Sequence, residues 1–488
     1  MPRWEPRDPC DEWYLAGHLV GAVHDYALTR GAGKAGGALR AARQQGKNPP
    51  NPGGRHGGSD HRNKVMQRAQ DLQNDGYTIV AGGGNRMQNR EQALELYAQI
   101  VATEVFEKAA RTVFRLLEHG PTSPNSSDTI VQQLLALHHW FQTIPSEDEE
   151  WTRTVVIEAI WSAFHAFCYF FDSGAFWEIS EGRDAVFSVY METYETEDLW
   201  LSRKPPTGRV RVSPVEEGVM LQDLEWEQMV FMARRNHWET FLGIERELSS
   251  ASETPPTPSE PFVVGTYSQL RRRVPGTCLE VHQVLSGYAA QQVIPNYHYE
   301  TAPSILLPVD MHYAVHRTDP LLYEWQEGLE EGWSSLDHEK AALLFMHAQQ
   351  EEIFKKAAEE VLNILSCGSA LPSGGTGDSL SDRTWRLHRW FTALSELDKQ
   401  NVLAILRYTT EIAFHALCYF WDGGVHIHCE QSEEVEFAVY LELYEGNPPV
   451  QGTENPVQSI RVCPMKGHGF DLHEILACFM DERWWRLE

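Results

Sequence analysis

Four histidines fall between positions 282 and 316: His282, His298, His312 and His316. Imidazoles bind transition metals and move protons near neutral pH, so this stretch is the first place to look for chemistry. His312 and His316 are four residues apart and would share one face of a helix. Gln283 follows His282, and an amide side chain cannot take a proton near neutrality. With 21 His in 488 residues, an ordinary His-rich loop competes with a site. Acidic side chains form a second group: Glu147-Asp148-Glu149-Glu150, Glu192 and Glu195, then Glu433, Glu434 and Glu442. Such runs are usually solvated faces, but they could also grip a basic partner. His165 and His415 stand beside aromatic residues and read as satisfied core histidines.

The elements that would carry these residues come from an internal repeat. Ala163–Gly174 and Ala413–Gly424 are identical at nine of twelve positions, 250 residues apart. Collinear blocks at nearly the same spacing are Phe106–Ala110 with Phe354–Ala358, Val186–Glu195 with Glu436–Glu445, and Val210–Pro214 with Ile460–Pro464. Each copy predicts helices over 91–118 and 339–366, stopped by Gly120 and Gly368. A second helix carries the Leu-His-x-Trp-Phe block, and a third starts near Trp151 or Lys399. Period-two strands follow around 187–191 and 210–212, with a closing helix at about 219–235 and 471–482. The expected class is α+β, as two copies of a helical-plus-small-sheet domain joined by a linker. The boundaries read as a Gly/Arg-rich arm over 1–88, repeat 1 over 89–248 and a Pro/Ser linker over 249–261. A middle segment over 262–336 and repeat 2 over 337–488 complete the chain.

Charge follows that division. The chain carries 41 Lys+Arg against 69 Asp+Glu, a net −28. Nearly all of the excess sits in 91–260 (−17) and 321–488 (−16), whereas 1–90 is basic and 261–320 neutral. Acidic repeats disfavour direct binding of nucleic acid or an anionic membrane. Eight scattered cysteines without a CxxC pair suit a reducing compartment. With no signal-like N-terminus and no long apolar run, the expected location is cytoplasmic.

Two segments resemble nuclease toxins of bacterial polymorphic toxin systems. Gly53–Gly84, with its GG-x-x-H-R stretch, an expected helix from about Asp60 and a strand at Tyr77–Val80, resembles the opening of restriction-endonuclease-like toxins. The carboxylates that would follow in that family are absent. Val264–Thr318 resembles HNH-type nuclease toxins through Gly265-Thr266-Tyr267, Leu270-Arg271, His282, Ala302–Leu307 and Asp310-Met311-His312. That resemblance implies a divalent cation, zinc or magnesium, on His282, His312 and His316, if the segment functions. The family's general base is Gln283 here, so either His298 or another group substitutes, or the segment is a nuclease scaffold without turnover. The duplicated segment, with Asp471–Leu476 in copy two, is similar to small acidic immunity-type domains. Together the resemblances imply an immunity-type protein that neutralises a basic nuclease toxin, with no cofactor and no chemistry of its own. The alternatives are a metal-dependent HNH-type nuclease restrained by its acidic domains, with His282 and His298 catalytic, and a non-catalytic scaffold for another basic protein.

Overall fold

The computed structural model describes residues 90–122, 129–173, 177–180, 183–194, 206–214, 219–238, 261–284, 301–317, 338–368, 378–423, 427–428, 434–445 and 456–464, with Leu472, His473 and Leu476. The N-terminal arm, with its expected helix and strand, lies outside these residues. So do His298, Glu195, Glu433, the Pro/Ser linker up to Glu260 and most of 471–482.

Helix α1 (Arg90–Val101) runs through one wide π turn (Ala102–Glu107) into α2 (Lys108–His119). Gly120 ends it at φ +79°, a left-handed value that a side chain would strain. Then come α3 (Thr129–Phe141) and the long α4 (Ser146–Ser173). Strands β1 (Trp177–Ser180), β2 (Arg183–Tyr194) and β3 (Gly208–Ser213) precede α5 (Leu221–Arg235). The middle segment is built from β4 (Val264–Thr266), α6 (Tyr267–Arg271), β5 (Leu279–Gln283), β6 (Pro303–Pro308) and α7 (Val309–Arg317). Next, α8 (His338–Gln349), a π turn (Gln350–Lys355) and α9 (Lys356–Cys367) end at Gly368, φ +68°. The chain continues through α10 (Asp378–Ala393), α11 (Glu396–Trp421), β7 (Ile427–His428), β8 (Glu434–Glu445) and β9 (Gln458–Cys463). The class is α+β, mostly helical with small antiparallel sheets.

The strands do not form a separate sheet in each half. They join one six-stranded antiparallel sheet, in which β2 pairs along its length with β8 while β3 flanks β2 and β9 flanks β8. Strand alternation sends Phe187, Val189 and Met191 into the core and Ser188, Tyr190 and Glu192 to the other face. The core runs through both halves without a break: Tyr97 lies 4.9 Å from Phe437, and Phe187 lies 5.0 Å from Phe345. Each buried aromatic adds roughly 1.5–3 kcal/mol of burial free energy, so the halves share one store of stability. The halves also exchange matched polar contacts. The indole N–H of Trp140 donates to Asp398 at 2.8 Å, and that of Trp390 donates to Asp148 at 2.7 Å. Helix α4 is long and apolar enough to cross a membrane, yet 78% of its apolar window is buried inside the protein, as a core helix requires.

Candidate functional site

The middle segment is small. Its sheet has the order β4-β6-β5, and its apolar cluster of Tyr267, Leu270, Val274, Leu279, Val281 and Leu306 is completed by Tyr419 from α11. Alternation along β5 puts Leu279 and Val281 into that cluster, so Glu280 is turned the other way, toward the helices. There its carboxylate is wholly buried. Oε2 accepts from His312 Nδ1 of α7 at 2.8 Å and from His415 Nε2 of α11 at 2.9 Å. Oε1 lies 3.2 Å from Lys108 Nζ of α2. The His282 and His473 rings stand 5.1 and 5.3 Å from the His312 ring, and Asp422 holds His473 Nδ1 at 2.5 Å.

A ring of contacts fixes the segment around this centre. The Val281 N–H donates to the Tyr419 hydroxyl at 3.0 Å. The Gly276 N–H donates to Glu104 Oε1 at 2.9 Å, and Arg111 donates to the Gly276 carbonyl at 3.2 Å. Arg115 pairs with Asp310 at 2.5 Å, and Thr122 also bonds that carboxylate. Tyr313 donates its hydroxyl hydrogen to Glu411 at 2.5 Å. Thus α2 and α11, which pack against each other, both hold the segment.

Burial pushes the Glu280 carboxyl upward, but Lys108, His415 and the two imidazole hydrogen bonds outweigh it and leave the group well below the usual carboxylate range. Burial holds the His312 imidazole well below its ordinary value against the pull of Glu280, so it is neutral at pH 7. The cluster is therefore a buried carboxylate held by Lys108, by the neutral His312 imidazole and by the ring nitrogen of His415. Burial pushes Glu104 up, against the opposing influence of Lys108 and the Gly276 N–H.

Of the expected metal ligands, His312 sits in the buried cluster and the His282 ring stands beside it. Among the described residues, potential ligand atoms of Glu280, His312 and His415 lie within 4.8 Å of one another. His316 lies on α7 as its spacing implied, and His282 is on β5. Two imidazoles and a carboxylate are zinc donors by type. Here, however, the carboxylate already takes an N–H from each imidazole and has an ammonium beside it. A cation would have to displace both protons and sit beside Lys108, which fits poorly. Gln283, in the place of the resembled family's base, is buried.

The expected partner-contact residues divide. Glu147 and Glu150 are exposed and Glu149 is half-buried, while Asp148 accepts from Trp390. Glu434 lies at the start of β8. Glu192 and Glu442 are not surface contacts: both are buried on the polar face of the large sheet. Glu442 binds Arg211 at 2.6 Å and receives the Ser188 and Tyr190 hydroxyls, and Glu192 binds Arg461 at 2.9 Å and receives those of Tyr194 and Tyr440. Adjacent arginines on β3 and β9 consumed carboxylates that looked solvated in the sequence. None of the described cysteines forms a disulfide. No family model, curated protein or solved structure matches the chain.

Proposed function

We propose that this is an immunity-type protein that binds and neutralises a basic nuclease toxin in the bacterial cytoplasm. Its two repeats would be copies of one α+β unit that fold together as an internal dimer. The register supports the second point: Val189 pairs with Val439, its own counterpart 250 residues on, and the pairing runs symmetrically to either side. The observation that carries the functional reading is the burial of the toxin-like segment's His312 between Glu280 and His415. The helices of the repeats grip that segment and close off the histidine that would serve chemistry in an HNH-type toxin. Glu280 and His312 are wholly buried, which argues against a phosphodiester reaching this cluster. On this reading the repeats already hold one element that resembles a toxin, and the chain's net acidic charge favours fast capture of a basic one.

Co-expression with HNH-type nuclease toxins that carry the G-T-Y and D-x-H pattern tests this. Survival of the host and a stable complex are expected; neither rescue nor complex with any toxin would overturn it. A cleavage assay on the intact protein checks the nuclease alternative. DNA or RNA cleavage lost on His312→Ala would favour that alternative.

A further inference from the structure

The contacts around Glu280 use one side of an arrangement whose sequence counterparts lie on the other side. In the 250-residue correspondence His415 matches His165 and Tyr419 matches Tyr169, and at a spacing of 248 Lys108 matches Lys356 and Arg111 matches Glu359. Helix α4 packs along α9 as α11 packs along α2. Yet Tyr419 is 1% exposed under the middle segment, whereas Tyr169 is 56% exposed. Trp226 of α5, whose ring lies 5.6 Å from Trp161, is 55% exposed as well.

Resting on the immunity reading, we propose that this face of the first repeat, centred on Tyr169 and Trp226, is the docking surface for the toxin. The charges say what kind of element it takes. On the occupied side Lys108 receives Glu280 and Arg115 receives Asp310, while Arg111 donates to the Gly276 carbonyl. On the open side, Glu359 replaces Arg111, Glu360 replaces Thr112 and Asn363 replaces Arg115. His165 already has a carboxylate of the same repeat, Glu225, at 2.8 Å, and Lys356 is paired with Glu352. The face that remains is aromatic with an acidic border. It suits a basic strand–helix element that offers Arg or Lys where the middle segment offers Glu280 and Asp310. Exposed aromatics inside a polar border are the usual anchors of such interfaces.

The probe is a purified HNH-type nuclease toxin domain whose general-base histidine is replaced by alanine, titrated against the full chain. Tyr169→Arg is expected to weaken binding about ten-fold or more, while Leu397→Arg, on the exposed start of α11, leaves it unchanged. Both changes sit on the surface, and an unaltered melting temperature excludes misfolding. A complex that Tyr169→Arg does not weaken overturns the surface and leaves the immunity reading standing; no complex with wild type removes both. Replacing Tyr169 by photo-reactive benzoylphenylalanine identifies the occupant. Cross-links to the toxin support the proposal. Cross-links to residues 1–89 or to a second copy instead overturn it.

Discussion

Lys108 and Glu280, 172 positions apart, form an ion pair from which water is excluded on all sides. One lies in the first repeat and the other in the middle segment, so the pair ties two parts of the chain across their contact. Each charge in such a place depends on the other. Removing one partner should cost about 3–5 kcal/mol, because it strands the survivor in a low-dielectric interior. Lys108→Met and Glu280→Gln should each lower denaturant stability on that scale. The double variant should recover much of the loss, a coupling that chemical denaturation in a double-mutant cycle measures directly.

The same cluster sets a pH dependence. His312 is held well below its ordinary value of 6.5 when folded, so the unfolded chain takes up a proton there that the native chain refuses. Its contribution is complete above about pH 7 and declines as pH falls below 6.5. Glu280 is depressed below 4.5, so its contribution is also lost on acidification, at lower pH. His165, raised by its bond to Glu225, works in the opposite direction. The difference in stability between wild type and His312→Gln should therefore shrink from pH 7.5 to pH 5. A difference that grows on acidification would contradict the neutral assignment.

Zinc offers a third check. Glu280 Oε2 already takes both imidazoles and Oε1 lies beside the Lys108 ammonium, so chelator treatment should leave the melting temperature unchanged. Added zinc should not raise it. A stoichiometric metal in the purified protein, lost in His415→Ala, would instead establish the Glu280, His312 and His415 set as a metal centre.

Much of the fold could be read in the sequence because its signals are local. Helix periodicity and the stop at Gly120 and Gly368 depend only on neighbouring residues, and both match the structure. The site was less legible. Nothing in Leu279–Gln283 distinguishes Glu280 from a solvated strand residue, since its partners come from α2, α7 and α11. His415 was identifiable only as one of a repeated pair beside aromatics, and its chemistry depends on a carboxylate 135 positions away. The merging of strands into one sheet escaped for the same reason. Period-two alternation identifies β2 and β8 but carries no signal for what lies beside them.

That limit also explains why the acidic residues must be sorted by location before their roles are tested. Glu192 and Glu442 face arginines in a buried network, where Arg461 and Arg211 each lie within 3 Å of a carboxylate oxygen. Glu442→Ala would leave Arg211, Ser188 and Tyr190 without their shared acceptor, so a loss of about 3–5 kcal/mol is expected. Glu147 and Glu150 have water around them, and replacing either with lysine should change stability by no more than about 0.5 kcal/mol. Their effect should appear in association with a basic toxin, as a slower on-rate at low salt that converges with wild type at high salt. Stopped-flow binding at two ionic strengths separates these cases. If Glu147→Lys unfolds the protein while Glu442→Ala alters only the on-rate, the division between structural and steering carboxylates is wrong.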